Sequence, residues 1–170
     1  MARACLVGID PGERWIGVAR AALDSSLALP LGTIDRSEVG ISPEALAEAL
    51  QELLGNDQIE AIIVGAPIRP DGSEDDQATS FRVLGERVAE AMGVPCFTQN
   101  ERFTSVSREA GVKTSQVRRD RKARRPGGKS RARQRRERER AHAEAAAMIL
   151  QRWIDERAPT ARSLGTGERR

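Results

Sequence analysis

Two cysteines, one histidine, no tyrosine and only five aromatic residues in 170 rule out several architectures at once. Cys5 and Cys96 each sit inside an apolar, strand-like run, which suits buried thiols rather than a disulfide framework or a zinc site. No apolar stretch approaches the roughly 20 residues needed to span a bilayer. The N-terminus runs directly into "ACLVGID" with Arg3 as its only charge, so no secretory signal is expected. A cytoplasmic protein without a membrane partner is the expectation. The aromatics are Trp15, Phe81, Phe97, Phe103 and Trp153. Base-stacking platforms are therefore not expected, and shape and backbone contacts should dominate any nucleic-acid recognition.

What is present in excess is positive charge in one place. Residues 113 to 140 hold 14 Lys and Arg against 3 acids, a net +11. The rest of the chain holds 14 bases and 22 acids, a net −8. An acidic body with one basic segment points to a polyanionic partner met by that segment.

The first half reads β, β, β, α, β, α, β. Residues 4 to 9, 14 to 22 and 28 to 35 are strand candidates. "SPEALAEALQELL" opens a helix with Ser42 as N-cap and Pro43 at the first helical position, and Gly55-Asn56 closes it. "EAIIVGAP" reads as a strand buried on both faces. Phe81, Leu84, Val88 and Ala91 give helical spacing over 76 to 92, Gly93 ends that helix, and "VPCFTQ" is the next strand. Three meander strands followed by αβαβ predict an α/β fold, the RNase H-like mixed five-stranded sheet flanked by helices. Residues 113 to 140 carry Pro126-Gly127-Gly128 and no apolar stripe, and read as a mobile basic loop whose C-terminal end extends the last helix. Residues 141 to 155 form that helix. Residues 1 to 158 thus make one domain, and 159 to 170 a disordered tail.

The chemistry centres on "LVGIDPGERWIGVA", where a carboxylate, Asp10, ends an apolar strand ahead of Pro11-Gly12. Two readings compete: a turn-capping acid facing water, or a metal-binding carboxylate on a rigid strand inside a cleft. Metal-assisted phosphodiester hydrolysis needs acids converging from several elements, and hard cations take oxygen ligands.

"GIDPGERWIGVA", "IIVGAPIRPDGSE", "NERFTS" and "AAAMILQRWID" follow one another at natural separations. Together they resemble the YqgF family, also called RuvX, over about residues 4 to 155 apart from the basic loop. The resemblance implies an RNase H-like nuclease that matures the 5′ end of the small-subunit ribosomal RNA precursor. A site of oxygen ligands suits Mg²⁺, with Mn²⁺ as its substitute where an imidazole joins the ligands. Relatives in the wider superfamily resolve Holliday junctions.

Carried onto this chain, the family pattern makes Asp10 and Glu101 metal ligands. Glu101 follows the strand "VPCFTQ", and ligands gather at such strand ends. The family's preceding Asp is Asn100 here. The family's helix Asp falls on His142, which a helical wheel places with Ala146, Ile149 and Trp153. A packed core histidine is the bland reading. A third ligand or general base is the sharper one, and an imidazole would favour ions softer than Mg²⁺. Glu139, one turn earlier, is a substitute carboxylate. Gly12, Gly65, Pro67, Asn100, Arg102 and Thr104 are expected to shape the cleft, with Thr104 or Ser105 equally suited to capping the next helix. Asp71 and Glu74 to Asp76 are explained by loop solvation and by the dipole of the following helix. Phosphate contacts are expected from Arg118, Arg119, Arg121, Lys122, Arg124, Arg125, Lys129 and Arg131.

The leading expectation is thus a metal-dependent endonuclease acting on pre-16S ribosomal RNA or the pre-ribosome, as monomer or homodimer. The alternatives are a Holliday junction resolvase on DNA, which needs a two-fold dimer, and a catalytically weakened RNA-binding module. An actin-like kinase half-domain is discounted, because that superfamily builds its nucleotide site from two such domains.

Overall fold

Cys5, Val7 and Ile9 alternate with Leu6, Gly8 and Asp10, so the first strand sends its two side-chain rows to opposite faces. The computed structural model of the chain, which describes residues 3–66, 76–100 and 131–157, builds a five-stranded sheet on that strand. Its members are β1 (Ala4–Pro11), β2 (Trp15–Ala22), β3 (Leu29–Asp35), β4 (Gln58–Ala66) and β5 (Cys96–Asn100), in the order β3-β2-β1-β4-β5. β1–β2 and β2–β3 are antiparallel, whereas β1–β4 and β4–β5 are parallel. This is the mixed, RNase H-like arrangement expected from the sequence.

Among the described residues four helices flank the sheet: α1 (Arg36–Val39), α2 (Pro43–Leu54), α3 (Asp76–Met92) and α4 (Arg131–Arg157). The start of α2 follows the expected chemistry, with the Ser42 hydroxyl accepting from Ala45 N–H at 3.2 Å and Pro43 in the first turn. Gly55, at φ 63°, ends it, a conformation that costs a glycine nothing. Leu46, Leu50 and Leu54 recur at helical spacing and are buried with Cys5, Val7, Ile9, Ile62, Val64 and Val88. That cluster is the core between one sheet face and α2 with α3.

The other face is built from small residues. Ala19, Ala21, Ala61 and Ile63 pack there against Ala146, Ile149 and Leu150 of α4. α4 is 27 residues long, about 40 Å, and begins ten residues before the apolar stripe does. Its N-terminal half is held by good helix formers and by ion pairs one turn apart, Arg133–Glu137, Arg135–Glu139 and Arg140–Glu144. Such pairs each add about 0.3–0.5 kcal/mol. The C-terminal end of the basic stretch is therefore helix. The short α1 and the residues of β1 beyond Ile9 were not foreseen.

Cys5 and Cys96 are free, Cys5 buried and Cys96 half-buried. Burial raises both thiols, with Glu86 adding to the effect at Cys96, which is pushed to about 11. No helix among the described residues is long and apolar enough to cross a membrane. Pro67, Asp71, Glu74, Asp75, Glu101, Arg102, Thr104, Ser105 and the basic residues from Arg118 to Lys129 lie outside the described residues, as does the tail.

Candidate active site

Asp10 is the penultimate residue of β1 and pairs with Gly17 of β2. Strand alternation puts its carboxylate on the α4 side of the sheet, in step with Leu6 and Gly8. α4 can approach there only because the sheet offers so little side chain. A Cβ built on Gly17 would fall on the His142 carbonyl oxygen, and one on Gly8 would lie 2.7 Å from Leu150 Cβ. Ala146 completes the contact and is fully buried.

This close packing delivers His142 to Asp10. His142 Nδ1 lies 3.3 Å from Asp10 Oδ2, with side chains 22% and 11% exposed respectively. The expected wheel holds: His142 shares its face with Ala146 and Ile149, yet sits at the edge of the core where water reaches it. Gly12 is also explained. A Cβ there would meet the Trp15 carbonyl oxygen at 2.6 Å and approach His142 Cε1 to 3.4 Å. The tight turn, closed by Gly12 N–H to Trp15 O at 3.0 Å, has no room for a side chain at residue 12, because it would run into the Trp15 carbonyl.

Two donors in neighbouring positions of an octahedral ion, each at about 2.1 Å, are roughly 3.0 Å apart. The Asp10–His142 pair fits a shared divalent cation on that measure. One carboxylate oxygen with one imidazole nitrogen suits Mn²⁺ at least as well as Mg²⁺. Among the described residues no group of three His, Cys, Asp or Glu surrounds a common point. Glu101, the expected third donor, directly follows Asn100, the last residue of β5, which pairs with Ala66. Gly65 is buried one residue earlier on β4. The parallel strands β1, β4 and β5 thus end at one edge, and Asp10 stands on that edge. Glu139 accepts from Arg135 Nε at 2.8 Å. It lines a groove of about 440 Å³ between β3 and α4, with Pro30, Gly32 and Arg136. Neither Asp10 nor His142 lines that groove.

A second layer was not foreseen. Asp35 ends β3 and is buried. It caps α1 through Ser37 N–H at 2.9 Å and accepts from Arg14 Nη2 at 2.9 Å. The Arg14 guanidinium, helped by Ser37, holds its carboxyl down to about 2. Arg36 grips the turn behind Asp10 twice, donating from Nη1 to Gly12 O and from its backbone N–H to Arg14 O, each at 2.9 Å. Arg135 of α4 reaches Glu38 at 3.2 Å and Asp35 at 3.8 Å. A strand-ending Asp before "RSE" is itself an N-cap signal, and could have flagged Asp35.

The strand order gives the chain an RNase H-like fold, and the family and relatives it matches make it a hydrolase of phosphodiester bonds, a nuclease. It belongs to the RuvX family, whose family model, described as Holliday junction resolvase, matches residues 4–156. A protein of Burkholderia ambifaria (strain MC40-6) named "Putative pre-16S rRNA nuclease" is 31% identical over 153 residues, covering 90% of each chain. One of Acaryochloris marina with the same name is 29% identical over 157 residues, covering 92% of this chain and 96% of its own. Among solved structures, Thermus thermophilus RuvC in complex with a Holliday junction substrate is similar at 18% identity, with a TM-score of 0.46. That match covers 91% of this chain and 95% of RuvC.

Proposed function

We propose that this chain is a divalent-metal-dependent endonuclease that trims the 5′ end of the pre-16S ribosomal RNA, with Asp10, Glu101 and His142 around the reacting phosphate. The observation that carries the reading is the 3.3 Å approach of His142 Nδ1 to Asp10 Oδ2 at the carboxyl edge of the parallel strands. The names borne by the relatives supply the substrate class. A bound Mg²⁺ or Mn²⁺ would polarise the phosphoryl oxygen and make water a stronger nucleophile. Asp10 and His142 would hold it, with Glu101 as third donor. The chain's own groups act beside it. With Nδ1–H donating to Asp10, the Nε2 lone pair of His142 accepts a proton from the attacking water. With Nδ1 unprotonated, the same atom is a ligand instead. The turn gripped by Arg36 fixes the direction of the Asp10 carboxylate. Arginines at the N-terminal end of α4, together with the basic segment before it, hold phosphates without reading bases.

The test is cleavage of an end-labelled ribosomal RNA precursor fragment in Mg²⁺ and in Mn²⁺ by wild type, Asp10→Asn, Glu101→Gln and His142→Ala. The expected result is metal-dependent cutting lost in the first two variants. RNA that is bound but never cut would leave a binding module and overturn the reading. A four-way DNA junction runs in parallel, because the RuvX family model is described as Holliday junction resolvase; cutting of the junction alone would transfer the activity to DNA.

A further inference from the structure

Seven residues before His142 on α4, Arg135 places its guanidinium carbon 5.0 Å from the centre of the Trp15 indole. Arg14 does the same from the turn behind Asp10, also at 5.0 Å. Trp15 is half-buried, whereas the side chains of Arg14 and Arg135 are 58% and 48% exposed. The result is a planar group with its two cations open to solvent, beside the candidate active site.

Charge says what such a surface can take. Arg14 faces Asp35, and Arg135 faces Glu38, Glu139 and, at 3.8 Å, Asp35, so the cluster holds no surplus of positive charge. Such a cluster is a poor phosphate site. Indole and guanidinium planes together are a good surface for an uncharged, flat, polarisable group, and nucleobases stack on both. Position agrees with this. Seven residues of helix are about 10 Å, roughly three phosphates of one strand at about 3.4 Å each along a duplex axis.

We propose that Trp15, with Arg14 and Arg135, is a stacking platform for an unpaired base of the strand whose phosphate lies at Asp10 and His142. The proposal rests on the nuclease reading. It also reverses the expectation, drawn from five aromatics, that stacking has no part in recognition. One tryptophan at the right place is enough, because the arginines extend its surface.

The experiment uses the full chain with Trp153→Phe, so that Trp15 is the only tryptophan, in EDTA so that nothing is cut. Single-stranded RNA and a blunt duplex of the same sequence are titrated, with Trp15 emission as one readout and anisotropy of a labelled oligonucleotide as the other. Saturable quenching by the single strand, weaker with the duplex, is expected. Trp15→Leu should weaken single-strand binding about tenfold, with helix content unchanged by circular dichroism, and Trp15→Phe should restore most of it. RNA binding without any change in Trp15 emission overturns the proposal, and that readout does not depend on any variant at residue 15 folding. Affinity lost only in step with helix content also overturns it, making the cluster an anchor for α4. Absence of all RNA binding would remove the nucleic-acid reading and this proposal together. Quenching without metal-dependent cutting would remove the nuclease reading and leave the platform standing.

Discussion

Asp10 and His142 stand 132 residues apart in the chain and 3.3 Å apart in the fold. Their meeting depends on glycine and alanine along one sheet face, which let a 27-residue helix lie almost on the backbone. Each group should then be separable by what it does. Asp10→Asn should lower metal-dependent cleavage by on the order of 10³-fold, the scale of losing several kcal/mol of charge stabilisation. His142→Ala should cost about 10²-fold, the range of a general acid–base group. His142→Asp should retain cutting and move the preference from Mn²⁺ towards Mg²⁺, because it replaces nitrogen by a hard oxygen donor. Single-turnover rates in each metal measure all three. Full activity in His142→Ala would make the residue a packing group.

The close approach of α4 gives a second expectation. Gly17→Ala would place a methyl on the His142 carbonyl oxygen, where backbone on both sides must move. Overpacking of this kind costs about 1–3 kcal/mol. We expect a lower Tm, together with a loss of cleavage larger than the stability change explains, since His142 is pushed off Asp10. Gly40→Ala is the control, because no atom lies near its Cβ. Its φ of 100° and ψ of −177° are open essentially only to glycine, so the change should cost a similar amount, about 1–3 kcal/mol, but it should leave the rate of the folded enzyme alone.

How far the sequence disclosed this can be read from particular residues. β1, α2 and β4 announced themselves because their patterning is local: an apolar run before Pro-Gly, and a Ser-Pro-Glu start. Asp10 and the register of His142 were legible because a motif and a helical wheel each carry position. The first ten residues of α4 were harder to see, because a helix stabilised by Arg–Glu pairs has no apolar period to detect. Asp35, Arg36 and Arg135 were hidden for another reason. Their roles arise where β3, α1 and α4 meet, and no local pattern records which arginine will find which carboxylate. Trp15 was in plain view within the first motif, but only the fold brings Arg135 onto its ring.

Asp35 makes the acid limb of stability predictable in sign. Its ordinary value of 3.8 is lowered to about 2 in the fold, first by Arg14 and then by Ser37. A carboxyl depressed on folding stabilises the protein fully above its unfolded value, and that contribution is lost as pH falls towards the folded value. The window is therefore from about pH 4 down to about pH 2. Asp35→Asn, which keeps the cap but not the charge, should lower Tm relative to wild type at pH 7. The gap should shrink across that window. Thermal unfolding of both proteins from pH 7 to pH 2 measures it, and a gap constant with pH would show that the Arg14–Asp35 pair adds nothing through charge.

The N-terminal end of α4 offers the last test, since its arginines are not equivalent. Arg133, Arg135 and Arg140 are each engaged by a glutamate one turn on. Arg136 and Arg138 are exposed, and no ion pair engages them among the described residues. A guanidinium already facing a carboxylate has less to gain from a phosphate, so the unpaired two should carry the contact. Replacing either with alanine should weaken binding to RNA of any sequence and reduce the slope of log K against log salt by about 1. The same change at Arg133 should move the slope less, because the glutamate it frees is itself repelled by phosphate only weakly at that exposure. Filter binding over a range of salt, in EDTA, gives the slopes directly. Equal slopes for wild type and Arg136→Ala would place the phosphates elsewhere, on the basic segment upstream of the helix.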